Sequence, residues 1–197
     1  MEIVISIVFI MLIAYHLYKF IYMLTKLNQP ASLPKTENDL SELRSTSLNK
    51  LKPSTFKGQK LGIILYTITL LIASSLLITM ITTNQFTLAF APLLVPLLFA
   101  EQHYFSQFAI REDGILSNTR FVPWKKIRSF TFIHIDINHR NYGYPEINDK
   151  YELKIKTTFG AIRCIVLTDE LKERLAEELI AHHVPEATSN EKITPIK

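Results

Sequence analysis

The 197-residue sequence has a single cysteine, Cys164, and only five glycines. One thiol excludes an intrachain disulfide, and on a strand such a residue is most often a small core side chain. So few glycines leave no glycine-rich phosphate loop, and no HExxH or nucleophile-elbow spacing occurs either. Charge is missing altogether from Leu61 to Thr82, a run of 22 residues. A stretch of that length without charge is unusual for a buried helix of a soluble protein and long enough to cross a bilayer. The net charge of +4 is confined in turn. Residues 26–60 carry seven basic and three acidic residues, an excess of four, whereas 14 basic and 14 acidic residues balance from Glu101 onward. A nucleic-acid-binding surface would not be distributed in this way, and no nucleic acid partner is expected.

The apolar residues, 48% of the chain, fall into blocks. In Ile3–Leu24, 13 of 22 residues are Ile, Leu, Val or Phe, contributing on the order of −4 to −8 kcal/mol to membrane insertion. Lys19 lies near one end, where its stem can snorkel to the headgroups, and Tyr15, Tyr18 and Tyr22 suit the interface. A cleaved signal peptide would want a positive charge before the run, yet Glu2 precedes it. The second block, Leu61–Thr82, carries Thr and Ser hydroxyls that can bond back to the helix backbone. The third, Phe86–Ala100, contains Pro92 and Pro96, and only "TTNQ" separates it from the second. The pattern predicts three transmembrane helices, the last two an antiparallel hairpin. The positive-inside rule then places residues 26–60 and the C-terminal part in the cytoplasm and the N-terminus outside, as a multi-pass protein of the cell membrane.

Within the connector, Thr36 and Asp39 have capping spacing, and Leu40, Leu43, Leu48 and Leu51 share a broad helical face. They predict an amphipathic helix near Glu37–Lys52, lying on anionic lipid headgroups of the inner leaflet or packed against the C-terminal domain.

Beyond Glu101 the periodicity changes to alternation. "KYELKIKT" places Tyr151, Leu153 and Ile155 on one side and Glu152, Lys154 and Lys156 on the other, a half-buried strand that pairs back through "TFGA" with Ala161–Thr168. Asp113-Gly114 marks a hairpin, "RSFTFIHIDIN" another strand, and Thr168 caps a helix with Leu171, Leu175 and Leu179 on one face. The expected segments are a first span (1–25), a basic connector (26–60), a helical hairpin (61–104), an antiparallel domain closed by its helix (105–184) and a disordered tail (185–197).

The run "FAIREDGILSNTRFVPWKKIRSF", with "EDGI" before "WKKI", then two alternating strands and an amphipathic helix, resembles the PH-like domains of small bacterial membrane proteins. The resemblance implies a curved antiparallel β-sandwich or partly open barrel capped by the C-terminal helix. The fold class is thus an α+β membrane protein, and the resemblance implies no catalytic residues.

Catalytic, cofactor-binding and metal sites are therefore not expected. His134, Asp136 and His139 are near in sequence, but nothing else converges on them. Trp124 reads as a packing residue or an interfacial anchor. Lys125, Lys126 and Arg128 read as a solvated surface or a contact for anionic lipid or an acidic partner. The long loop "HRNYGYPEIND" (139–149), with Arg140, Tyr142 and Tyr144, is the best candidate for a partner contact. The expected function is a non-enzymatic binding or scaffolding module beside the bilayer, its partner an unidentified membrane or cytosolic protein. The alternative is a bacteriocin-immunity or envelope-stress accessory protein, or an accessory subunit of a membrane enzyme or transporter.

Overall fold

The computed structural model describes residues 2–46, 48–83 and 104–187. The chain divides into two compact units, one of Met1–Gln29, Lys52–Gln107 and Leu116–Phe121, the other of Pro30–Leu51, Phe108–Ile115 and Val122–Lys197.

The first unit is built on α1 (Glu2–Lys26) and α3 (Lys60–Thr83). Their stretches Ser6–Lys26 and Lys60–Thr83 are each long and apolar enough to cross a membrane, with mean hydropathies of 1.9 and 2.4. A core helix of a soluble protein would be mostly covered, but only 17% and 22% of these apolar windows are buried. Ile7, Met11, Ile21, Leu61, Ile68 and Leu71 stand exposed. The helices meet through a narrow seam. His16 Nδ1 and Tyr66 Oη are 2.9 Å apart and buried, Phe20 packs on Tyr66 with ring centroids 4.9 Å apart, and Phe105 closes on both rings. A polar pair among apolar residues is tolerable because each partner satisfies the other. The hydroxyls of α3 bond back as expected, Thr67 to the Ile63 carbonyl at 2.8 Å and Thr69 to that of Leu65 at 2.9 Å. Lys26 Nζ lies 4.6 Å from the centroid of the Phe121 ring. The third apolar block, Phe86–Ala100, lies outside the described residues.

The second unit is a mixed α+β domain. Its four-stranded antiparallel sheet has the order β1 (Leu43–Ser45), β7 (Gly160–Val166), β6 (Tyr151–Thr157), β5 (Ile127–His134). A separate three-stranded sheet, of which residues 116–117 and 120–121 are counted with the first unit, has the order β2 (Phe108–Arg111), β3 (Gly114–Ser117), β4 (Arg120–Pro123), with two-residue turns that only antiparallel strands permit. The two sheets do not close into a barrel among the described residues. Alternation sets the faces. Leu153, Ile155, Ile162, Cys164 and Phe130 point to one core, and α4 (Asp169–Ala181) covers it with Leu171, Leu175 and Leu179. Thr168 caps α4, its hydroxyl accepting from the Leu171 N–H at 3.4 Å. Burial pushes the Cys164 thiol well above its ordinary range.

Two stretches differ from expectation. The helix predicted near Glu37–Lys52 is realised only as α2 (Glu37–Ser41), with a capping box between Thr36 and Asp39. The chain then becomes β1, pairing Leu43 with Val166 and Ser45 with Cys164. Leu43 and Leu51 are buried in the domain core and Leu40 packs on it, so the apolar side chains that would have met lipid are covered by protein. The open edge of β7 offers backbone partners that a continued helix could not reach. At the other end, residues 185–187 do not belong to a loose tail. Phe130 N–H donates to the Pro185 carbonyl at 3.1 Å, and Ala187 N–H donates to that of Phe130 at 2.7 Å.

Asp39 locks α2 to α4. It accepts from Arg174 Nη1 at 2.8 Å and Nη2 at 3.2 Å, and from the N–H groups of Lys35 and Thr36. The Arg174 guanidinium holds the carboxyl well below the usual carboxylate range, against the opposing effect of burial. A lowered native pKa lends stability that is complete above about pH 4, the unfolded carboxylate value, and is lost as pH falls toward the native one. Asp39→Asn should therefore destabilise the chain by about 1–2 kcal/mol at pH 7 and flatten the decline of stability below pH 4, read by thermal unfolding in detergent. In the first unit, a Cβ on Gly62 would collide with the Tyr104 carbonyl oxygen. Gly62→Ala should lower stability by about 1–3 kcal/mol in the same assay, whereas Gly143→Ala, which meets no atom, should lose only what its positive φ imposes.

Candidate recognition surface

The loop joining β5 to β6 is long, but it is not loose. Ile135 continues the ladder, donating to the Lys150 carbonyl at 2.8 Å and accepting from Asp149 N–H at 3.1 Å. Asp136 then turns the chain by accepting from Asn138 N–H at 2.9 Å. Ile147 folds back to pack with Ile135 and Ile165, a small second core on the sheet face opposite α4.

Beneath the loop lies Glu152, 2% exposed. A carboxylate buried to that degree must be matched by cations or donors, and three side chains converge on it. His139 Nε2 is 2.8 Å from Oε2, Arg140 Nη2 is 2.9 Å from Oε1, and Arg163 Nη1 is 3.3 Å from Oε1. The Asn141 N–H points at His139 Nδ1 from 3.2 Å. Nδ1 is thereby the accepting nitrogen, and Nε2–H donates to the carboxylate. The effect is to tie two consecutive loop residues to the middle strand of the sheet. Tyr142 and Tyr144, 44% and 55% exposed, are presented by a fixed backbone, with Tyr142 N–H donating to the His139 carbonyl and Ile147 N–H to that of Tyr144.

The other candidate residues lie apart from this cluster in sequence and in role. Trp124 opens a 3-10 turn, Trp124–Lys126. Its indole N–H donates to the Glu112 carbonyl at 2.8 Å, with the Arg111 carbonyl at 3.2 Å, and its ring stacks on His182 with centroids 4.0 Å apart. Trp124 therefore makes internal contacts that hold the turn. Lys125 and Lys126 are exposed, and Arg128 occupies the bulge between Ile127 and Ser129. His134 meets the Tyr151 ring rather than His139. Among the described residues no group of three His, Cys, Asp or Glu side chains could hold a metal ion.

Glu152 and Arg163 were not distinguished by sequence reasoning. Alternation put Glu152 among lysines on a solvated face, which is the right face. The loop returns over that face, and no local pattern announces the return. The one signal present was a lone acid in "YELKIKT"; in the sheet it pairs with Ile165 and lies diagonally across from Arg163, which pairs with Lys154.

The class defined by these observations is a mixed α+β chain with two helices apolar enough to span a membrane and a domain of two antiparallel sheets. Residues 106–180 match a domain family of unknown function (DUF5673). No curated protein matches the chain, and no solved structure does.

Glu152→Gln should destabilise the chain by about 2 kcal/mol, because it leaves the cations facing a neutral amide. It should also raise amide hydrogen exchange across residues 136–149. Arg140→Gln, which removes a half-exposed partner, should lower stability by less than about 1 kcal/mol.

Proposed function

We propose that this chain is a multi-pass protein of the cell membrane whose domain is a cytosolic, non-enzymatic binding or scaffolding module. In this reading α1, α3 and the Phe86–Ala100 block cross the bilayer, the N-terminus lies outside, and the basic connector and the domain lie inside. The domain is a PH-like module, its strands followed by a helix that covers one sheet face. The observation that carries the binding role is the pinned loop. Glu152 holds His139 and Arg140 in place, so Tyr142 and Tyr144 are displayed at a small loss of conformational entropy on binding. The long, poorly covered apolar surfaces of α1 and α3 support anchoring in lipid. The excess of lysine and arginine between the spans supports the cytosolic side.

The test is a photo-crosslinking residue at Tyr144 in the full chain, expressed in cells and followed by alkaline extraction of membranes. The expected result is a chain that resists extraction and forms discrete protein adducts from position 144. A chain released at alkaline pH overturns the spanning topology. Retention with no adduct from Tyr142 or Tyr144 positions overturns the binding role of the loop.

A further inference from the structure

Backbone groups at the edge of a sheet must be met by water or by another strand. In this domain three edges are met by short stretches of the chain itself, each through a single bridge: Leu33 to Ile110 on β2, Lys50 to Arg44 on β1 and Glu186 to Phe130 on β5. The cover on β5 is short. Phe130 faces away from β6, because its N–H donates to the Pro185 carbonyl and its own carbonyl accepts from Ala187 N–H. From Ser129 to His134 the pairing of β5 with β6 is regular, and Ile135 bonds back to Lys150 and Asp149. In an antiparallel ladder the direction of the backbone groups alternates along the strand. Those of Phe132 and His134 therefore point outward, along the same edge as those of Phe130. Among the described residues no backbone group meets them on that side, and His134 is exposed.

We propose that the β5 edge at Phe132–His134 is a docking site for an extended, acidic segment of a partner protein, added as a further strand. Two donors and two acceptors spaced two residues apart along an edge are matched by an extended backbone. Residues 185–187 show that this edge takes such a segment, there in parallel orientation. The side chains set the charge of the occupant. Lys172 of α4 places its Nζ 3.8 Å from the Tyr151 ring centroid and 5.9 Å from that of Phe132. Tyr151 pairs with His134 across β5 and β6, and their rings also meet, with centroids 5.5 Å apart. The ammonium is thus held over aromatic rings beside the open edge, with no carboxylate partner among the described residues. Aromatic faces hold a cation without neutralising it. A carboxylate carried on the helix-facing side of the added strand supplies the missing charge. The site shares no residue with Tyr142 and Tyr144, so it stands or falls separately from the loop.

The full chain in detergent, titrated into the fluorescein-labelled probe peptide Val-Glu-Val-Glu-Val amide, decides this. The expected result is saturable fluorescence anisotropy, with amide hydrogen exchange at Phe132 and His134 slowed roughly tenfold or more at saturating peptide. The same peptide N-methylated at every residue has no donors and should not bind. Lys172→Met keeps the stem of the side chain. It should weaken the Glu probe about fivefold and leave a Val-Gln-Val-Gln-Val probe unchanged. No saturable binding up to about 1 mM peptide, or binding without slowed exchange at Phe132 and His134, overturns the proposal. So does equal binding of the Glu and Gln probes by the unsubstituted chain, which removes the role of Lys172. A chain ending at Ala187 tests the remaining occupant. Exchange at Phe132 and His134 that is slow in the full chain and speeds up on this truncation would assign the edge to the chain's own C-terminus and overturn a partner segment, whereas unchanged exchange and an unchanged probe response support one.

Discussion

A carboxylate out of reach of water sets the terms for the outer face of the domain. Glu152 sits on the central strand β6, and burial of its charge would be prohibitive without counter-charges. Arg140 and Arg163 supply them, His139 adds an Nε2–H donor, and two of the three partners come from the loop between β5 and β6. The need of one acid for partners therefore fixes the path of about a dozen residues. Ile135, Ile147 and Ile165 complete the attachment with a small apolar contact that closes once the loop has returned.

The inner face follows a different logic. There the alternating residues of β5, β6 and β7 bury themselves under Leu171, Leu175 and Leu179. The connector completes the enclosure. β1 extends the sheet, the Glu42 carboxylate accepts from the Thr168 hydroxyl at 2.6 Å, and Asp39 meets Arg174. Segment 30–51, which lies between the two apolar helices in sequence, is thus structurally part of the domain. Such a segment is not a tether of adjustable length, and its charges are partly committed to internal pairs. Asp39 is engaged with Arg174, and Arg44 donates to the Leu43 carbonyl at 3.0 Å.

Local chemistry was legible where a short pattern has one dominant physical solution. The capping box at Thr36–Asp39, the cap at Thr168, the turn at Asp113-Gly114 and the alternation of "KYELKIKT" all appear as read. The extent of the connector helix was not legible. Leu40, Leu43, Leu48 and Leu51 satisfy a helical face, but Leu43 and Ser45 equally satisfy a strand once β7 presents an unpaired edge. The choice lies in a backbone partner more than a hundred residues away. Residues 185–187 illustrate the same point, since their polar composition suggested a tail and a free edge of β5 recruited them.

The sequence by itself determined the two long apolar helices, the confinement of excess positive charge between the apolar blocks and the order of strands followed by helix. Each of these follows from composition or periodicity within a few turns of chain, where solvent preference acts residue by residue. Only the tertiary structure decided that the connector joins the sheet and that Glu152 gathers His139, Arg140 and Arg163. Those outcomes depend on pairs of residues far apart in sequence. Their energies, hydrogen bonding at a strand edge and neutralisation of a buried charge, exist only after the chain has brought the partners together.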